Sequence, residues 1–201
     1  MAPPPLIPTS FHAAEWFLDR ALNDGEYLQP QKLHRLLFLA QAYYGVAKAG
    51  RMLMPAIFVA DPMGPLEPNL YRAYENERPW ITKQVIDPEG VQFLDGIWRR
   101  FGVHSADHLT KVIAKHPPYA EALGVAPGSV ISLEAMIAFY GATRVDVLQR
   151  REDTGGGVSA EEQDARHAMA APPVEKVVRP RVMRSHTGKA VNVMPWMPKK
   201  K

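Results

Sequence analysis

Apolar residues in the first half of the chain recur every three or four positions, the interval that gathers them on one face of an α-helix. Phe11, Ala14, Leu18, Ala21 and Leu22, widened by Trp16 and Phe17, predict a helix starting at the cap residue Ser10 and ending at Asn23-Asp24-Gly25. Pro30 opens a second, because proline at the first helical position forfeits no needed N–H and already has a helical φ. Leu33, Leu36, Leu37, Ala40, Tyr44 and Ala47 give it a broad apolar face ending near Gly50, with Lys32, Arg35, Gln41 and Lys48 on the other side. Residues 1–9 hold four prolines and are expected to be a disordered leader.

The pattern then changes. Leu53, Ile57, Phe58 and Val59 predict an extended segment within Met52–Ala60, interrupted by Pro55. Asp61-Pro62-Met63-Gly64-Pro65-Leu66-Glu67-Pro68 reads as a rigid irregular loop, since three prolines remove donors. A short helix is expected from Asn69 through Tyr74. Helical spacing returns at Asp87-Pro88-Glu89, which combines a cap, a first-position proline and an acid at the positive end of the dipole. Val91, Leu94, Ile97, Trp98 and Phe101 form its expected buried stripe. Ser105 starts a helix carrying Leu109, Val112 and Ile113 that Pro117-Pro118 is expected to stop. Ser132 caps a further one, in which Ile131 and Met136 are placed as a hydrophobic staple and Leu133, Ile137 and Tyr140 face inward up to Gly141. The expected fold is therefore mainly α: a compact helical domain over 10–141 with a short extended segment.

Beyond Gly141 the stripe thins. Residues 142–171 combine a glycine joint at Gly155-Gly156-Gly157 with a capping box, Ser159-Ala160-Glu161-Glu162, for a short helix to about Ala170. From 172 to 201 the chain has no sustained period and reads as a flexible basic tail that binds a partner.

Composition narrows the function. The 201 residues include no cysteine, which excludes disulfide scaffolds, Cys-ligated zinc and thiol catalysis. Apolar runs such as Leu36-Leu37-Phe38-Leu39-Ala40 fall far short of the roughly 20 residues a spanning helix needs, so no membrane association is expected. The N-terminus lacks the basic flank and apolar run of an export signal, and a cytoplasmic location is expected. The net charge of +3 is uneven: the last thirty residues hold eight Lys and Arg against Glu175, a net of +7, which leaves 1–171 at −4. An acidic body does not favour nucleic acid as its partner.

No phosphate-binding GxxxxGK[ST] or GxGxxG loop and no GxSxG nucleophile elbow occurs, so no cofactor and no catalytic residues are expected, and a hydrolase built from scattered His and Asp is the weakest reading. His104 and His108, with Asp107 between them, have a spacing that can hold a metal ion, but no third ligand accompanies them, so they read as a solvated or capping pair. His12 and Glu15 also sit one helical turn apart. Among the aromatics, Tyr44 and Trp98 lie on apolar stripes and read as core. Tyr43, at the edge of its stripe, is expected to join Tyr71 and the loop residues Met63, Gly64, Pro65 and Leu66 in an exposed recognition patch. In the tail, Val174, Lys176, Val177, Val178, Arg179, Arg181 and Val182 have the alternation suited to pairing with a partner's sheet edge. The competing reading of the tail is a DNA-binding regulator held by phosphate contacts.

The order of these features resembles a known family. Glu15-Trp16-Phe17-Leu18, then Leu28-Gln29-Pro30-Gln31-Lys32-Leu33-His34-Arg35-Leu36-Leu37-Phe38-Leu39-Ala40-Gln41-Ala42, then Phe58-Val59-Ala60 and Gly64-Pro65-Leu66-Glu67-Pro68-Asn69-Leu70-Tyr71 are similar to the Panacea antitoxin domain of GepA-like phage-associated proteins. His116-Pro117-Pro118-Tyr119-Ala120-Glu121-Ala122 resembles a later stretch of that family, with Tyr119 where Trp is usual. The likeness covers roughly Ser10 to Tyr140. The basic tail directs it to the SocA-like members, and what it implies is a non-catalytic antitoxin. Such a protein binds a cognate SocB-like toxin and, as a proteolytic adaptor, delivers it to the ClpX unfoldase of the ClpXP protease.

Overall fold

Thr9 starts the first helix, accepting a hydrogen bond from the His12 amide at 3.3 Å, so α1 spans Ser10–Asn23 and the cap lies one residue before the expected Ser10. The computed structural model describes residues 3–75, 78–82 and 85–142, and the backbone of 181–184 and 190–193. The leader expected to be disordered is anchored over its second half. The Ile7 amide donates to Leu53 O at 2.7 Å and Ile7 itself is wholly buried, because one isoleucine among the prolines gives the segment something to bury.

α2 (Pro30–Ala47) packs against α1 and against three later elements, a strand and two helices described below. Leu33 to Ala42 are buried without a break, including Arg35 at 3% and Gln41 at 2% exposure, which corrects the expectation of a polar outer side. Both are buried because loops lie on them. The Gln41 amide donates to Met54 O and accepts from Met54 N, each at 3.1 Å, and so stands in for a neighbouring strand beside that backbone.

β1 (Phe58–Asp61) turns through Pro62 and Met63 into β2 (Gly64–Leu66), with Asp61 opposite Gly64 and Val59 opposite Leu66. The segment expected to be an irregular loop is thus half strand. The Asp61 carboxylate accepts from the Met63 amide at 2.8 Å and sets the turn. Pro65 is tolerated because β2 is an edge in the antiparallel order β2-β1-β3, where β3 is Val130–Ile131. α3 (Pro68–Ala73) follows, capped by Glu67 and not by Asn69.

α4 (Pro88–Phe101) begins at the expected cap, with the Asp87 carboxylate accepting from the Glu89 amide at 2.8 Å. Leu94, Ile97, Trp98 and Phe101 are buried, whereas Val91 is on the exposed side. α5 (Ala106–Ile113) has Ser105 as its cap. Pro117-Pro118 does not merely stop it: the same prolines open α6 (Pro117–Val125), a helix absent from the sequence reading. Ser132 caps α7, helical over 133–142 in the described part, with Met136 and Tyr140 buried and Leu133 and Ile137 partly so. The protein is mainly α, with seven helices and the small sheet among the described residues.

α2 and α7 cross at Gly45, where an added Cβ would lie 2.9 Å from Ile137 Cγ1 and 3.2 Å from Leu133 Cδ1. Gly45→Val should cost about 1–3 kcal/mol by overpacking. A urea titration checks this, and an unchanged midpoint would show that the two helices separate freely.

Contacts divide the chain into Met1–Ala170 and Ala171–Lys201. In the second unit β4 (Arg181–Arg184) pairs antiparallel with β5 (Ala190–Val193), strands that the tail's lack of period did not announce. The glycine joint and the helix expected at 159–170 lie outside the described residues.

Candidate functional site

The turn that carries Met63 rests on a buried polar frame. Gly64 has φ +121° and lies against the Arg35 guanidinium so closely that a Cβ there would fall 2.6 Å from Cζ. Arg35 Nε donates to Thr110 Oγ1 on α5 at 3.0 Å, and Nη1 donates to Gln31 O at 3.0 Å. Burial lowers its pKa, and the carboxylates of Asp61 and Asp107 act in the opposite direction. The Tyr119 hydroxyl on α6 donates to Asp61 O at 2.5 Å and fixes the far side of the turn.

His34, the neighbour of Arg35, accepts the Glu67 amide on Nδ1 at 3.2 Å. Burial first and Arg35 second lower its pKa to about 4, which keeps it the neutral acceptor this bond requires. The wholly buried Glu67 carboxylate takes the Leu70 amide at 2.6 Å and the Asn69 side chain at 3.0 Å, closing the first turn of α3. Each of these groups is spent on positioning backbone. Sequence reasoning passed over His34, Arg35, Glu67 and Tyr119 as a functional unit. The available signals were two polar residues within an otherwise apolar helix and an acid directly before Pro68.

The frame separates the expected patch into parts. Met63, 66% exposed at the turn, and Tyr71, 53% exposed on α3, are presented outward, with Leu66 half-buried between them in sequence. Gly64 and Pro65 are buried against the frame and offer no outer surface. Tyr43 does not join them. Its ring packs on Phe101 and Tyr140, with centroids at 5.6 and 5.2 Å, beneath the Arg100 guanidinium at 4.7 Å, and burial raises its pKa. It lies about 12 Å further along α2 than Arg35, at 1.5 Å per residue. Of the expected patch, Met63 and Tyr71 are therefore exposed and Leu66 is half-buried.

The His104 and His108 rings stack with centroids 4.6 Å apart and 21° between planes. Nearly parallel rings at that spacing cannot both direct an in-plane nitrogen at one ion about 2.1 Å away. Burial, then His108 and Lys32, lower the His104 pKa. Among the described residues no group of three or more metal-ligating side chains comes together. His12 and Glu15 line a groove of about 250 Å³ with Trp16, Asp19, Ile81 and Val91, in which Glu15 accepts from the Tyr74 hydroxyl at 2.7 Å and pairs with Arg78. Its carboxylates are thereby occupied within the fold.

Of the expected docking residues, Arg181 and Val182 lie in β4, and Val174, Lys176, Val177, Val178 and Arg179 lie outside the described residues. Among the described residues no helix is long and apolar enough to cross a membrane. Comparison with models of protein families, with curated proteins and with solved structures finds no match to this chain.

Proposed function

We propose that this protein is an antitoxin that binds its cognate toxin through the helical body and acts as a proteolytic adaptor, delivering that toxin to ClpXP through the basic tail. The reading combines the resemblance of residues 10–140 to the Panacea domain, and of the whole to SocA, with one structural observation. Met63 and Tyr71 stand exposed on two elements that the His34, Arg35 and Glu67 frame holds rigid. An apolar and an aromatic side chain presented from a fixed support contribute binding area without a large ordering cost, which is what a protein-binding face requires. The cytoplasm, where ClpXP works, is the location that goes with it.

The test is co-expression with the neighbouring gene's product, a SocB-like toxin in this reading. Rescue of growth and co-purification of a complex are expected, and a neighbour that neither binds nor is neutralised would overturn the assignment. Tyr71→Ala should leave the melting temperature within a few degrees of the parent, since half the ring is already in water, while weakening the toxin complex about tenfold or more. Loss of the fold in Tyr71→Ala would instead assign the residue to closing the structure.

A further inference from the structure

We propose that the partner presents an extended segment with apolar side chains at alternate positions and basic flanks, which adds as a strand to the open edge of β3 and lies across the outer face of the sheet. Side chains alternate between the two faces along each strand. Phe58 and Ala60 in β1, Pro65 in β2 and Ile131 in β3 are buried and make the inner face. The register sets Val59 beside Leu66 on one side and Val130 on the other, so these three form a row on the outer face. Val130 is 62% exposed, Val59 and Leu66 are half-buried, and Ile57, two positions before Val59, is 59% exposed. An antiparallel sheet with one face in water carries polar residues on that face. Here all three cross-strand positions are apolar, and the row adjoins Met63 at the β1–β2 turn, which is the mark of a face that another molecule covers.

The edges decide how the cover attaches. Ala60 donates to Ser129 O and accepts from the Gly128 amide, each at 2.8 Å, so its backbone groups face the β3 side. Bonded and non-bonded positions alternate in an antiparallel pair, which makes Val59–Val130 a non-bonded pair and turns the Val130 N–H and C=O away from β1. Among the described residues neither group has a hydrogen-bond partner. At the other edge the same alternation turns Pro65 outward, and proline has no N–H to offer. Strand addition is therefore open at β3 and blocked at β2. Two backbone hydrogen bonds at Val130 set the direction of the incoming segment, and the apolar row supplies its contact area. The charge of its flanks follows from the body, which carries −4 over 1–171.

This inference rests on the antitoxin reading, in which the segment belongs to the toxin. The experiment uses the full-length chain and the purified product of the neighbouring gene, with affinity read by titration calorimetry and amide exchange by NMR. Val130→Lys should weaken the complex about tenfold or more, and Val130→Thr, which keeps strand propensity, about threefold, each with a melting temperature within a few degrees of the parent. Leu22→Lys, which places the same charge at an exposed apolar position on α1, should not weaken it. The Val130 amide should exchange freely in the isolated chain and become protected in the complex. If the parent binds and Val130→Lys binds equally well, the docking edge is overturned while the antitoxin reading stands. Loss of affinity without protection of the amide would replace the strand by a helix or loop laid on the face, and so overturn strand addition. A dimer of the isolated chain that Val130→Lys dissociates would make a second copy the occupant and overturn the toxin segment. No binding of the parent would overturn both readings.

Discussion

Replacing Gly64 by alanine is expected to destabilise the protein by about 3–5 kcal/mol, the range reached when backbone strain and a core collision coincide. The strain comes from φ +121°, a region that residues with a Cβ rarely adopt. The collision is with Arg35: the new methyl would overlap Nη2 and lie 2.6 Å from Cζ and 2.8 Å from Nε. Arg35 cannot withdraw cheaply, because Nε is bonded to Thr110 and Nη1 to Gln31 O, and the charge would leave both partners unpaired. Gly25 isolates the first effect, having φ +74° with open space around the Cβ position. Gly25→Ala should cost only about 1 kcal/mol. Adding Arg35→Ala to Gly64→Ala should recover part of the loss, a coupling that two independent sites would not show. Equal urea midpoints for Gly25→Ala and Gly64→Ala would mean that the guanidinium yields without consequence.

That coupling marks where the sequence stopped being informative. Helical spacing located α1, α2, α4, α5 and the start of α7, because a helix against a core repeats its apolar face whatever lies opposite. Periodicity says nothing of what a loop does when it folds back. Arg35 and Gln41 had the spacing of solvent-facing residues and are buried because the turn at Gly64 and the backbone at Met54 lie on them. The proline-rich segment was read by its breakers, yet an edge strand accepts Pro65 and a helix start accepts Pro117, so the same residues serve as β2 and as the opening of α6. In the candidate patch, Met63 and Tyr71 were legible as apolar residues near a stiff turn. The separation of Tyr43 was not, since it depends on Phe101 and Tyr140 arriving from α4 and α7.

The same frame predicts loss of stability in mild acid. His34 and His116 are held neutral in the folded protein, with pKa values lowered from 6.5 to about 4. For His34 the causes are burial and then the Arg35 charge; for His116 the cause is burial. In the unfolded chain both protonate near 6.5, so between pH 6.5 and 4 the unfolded state binds more protons than the folded one. Stability is then full above about pH 6.5 and declines as the pH falls towards the folded values. The loss between pH 7 and 5 should be about 2 kcal/mol for His34, and less for His116, which is only partly covered. Protonating His34 would also remove the acceptor of the Glu67 amide at the entry to α3, and protonating His116 would place a charge beside the Tyr140 hydroxyl 2.9 Å away. Urea midpoints at pH 7, 6 and 5 should therefore decrease stepwise. His34→Gln, which keeps an acceptor and does not titrate, should flatten the decline by more than half while lowering stability at pH 7. A decline as steep in His34→Gln as in the parent would show that His34 takes up its proton without leaving the fold.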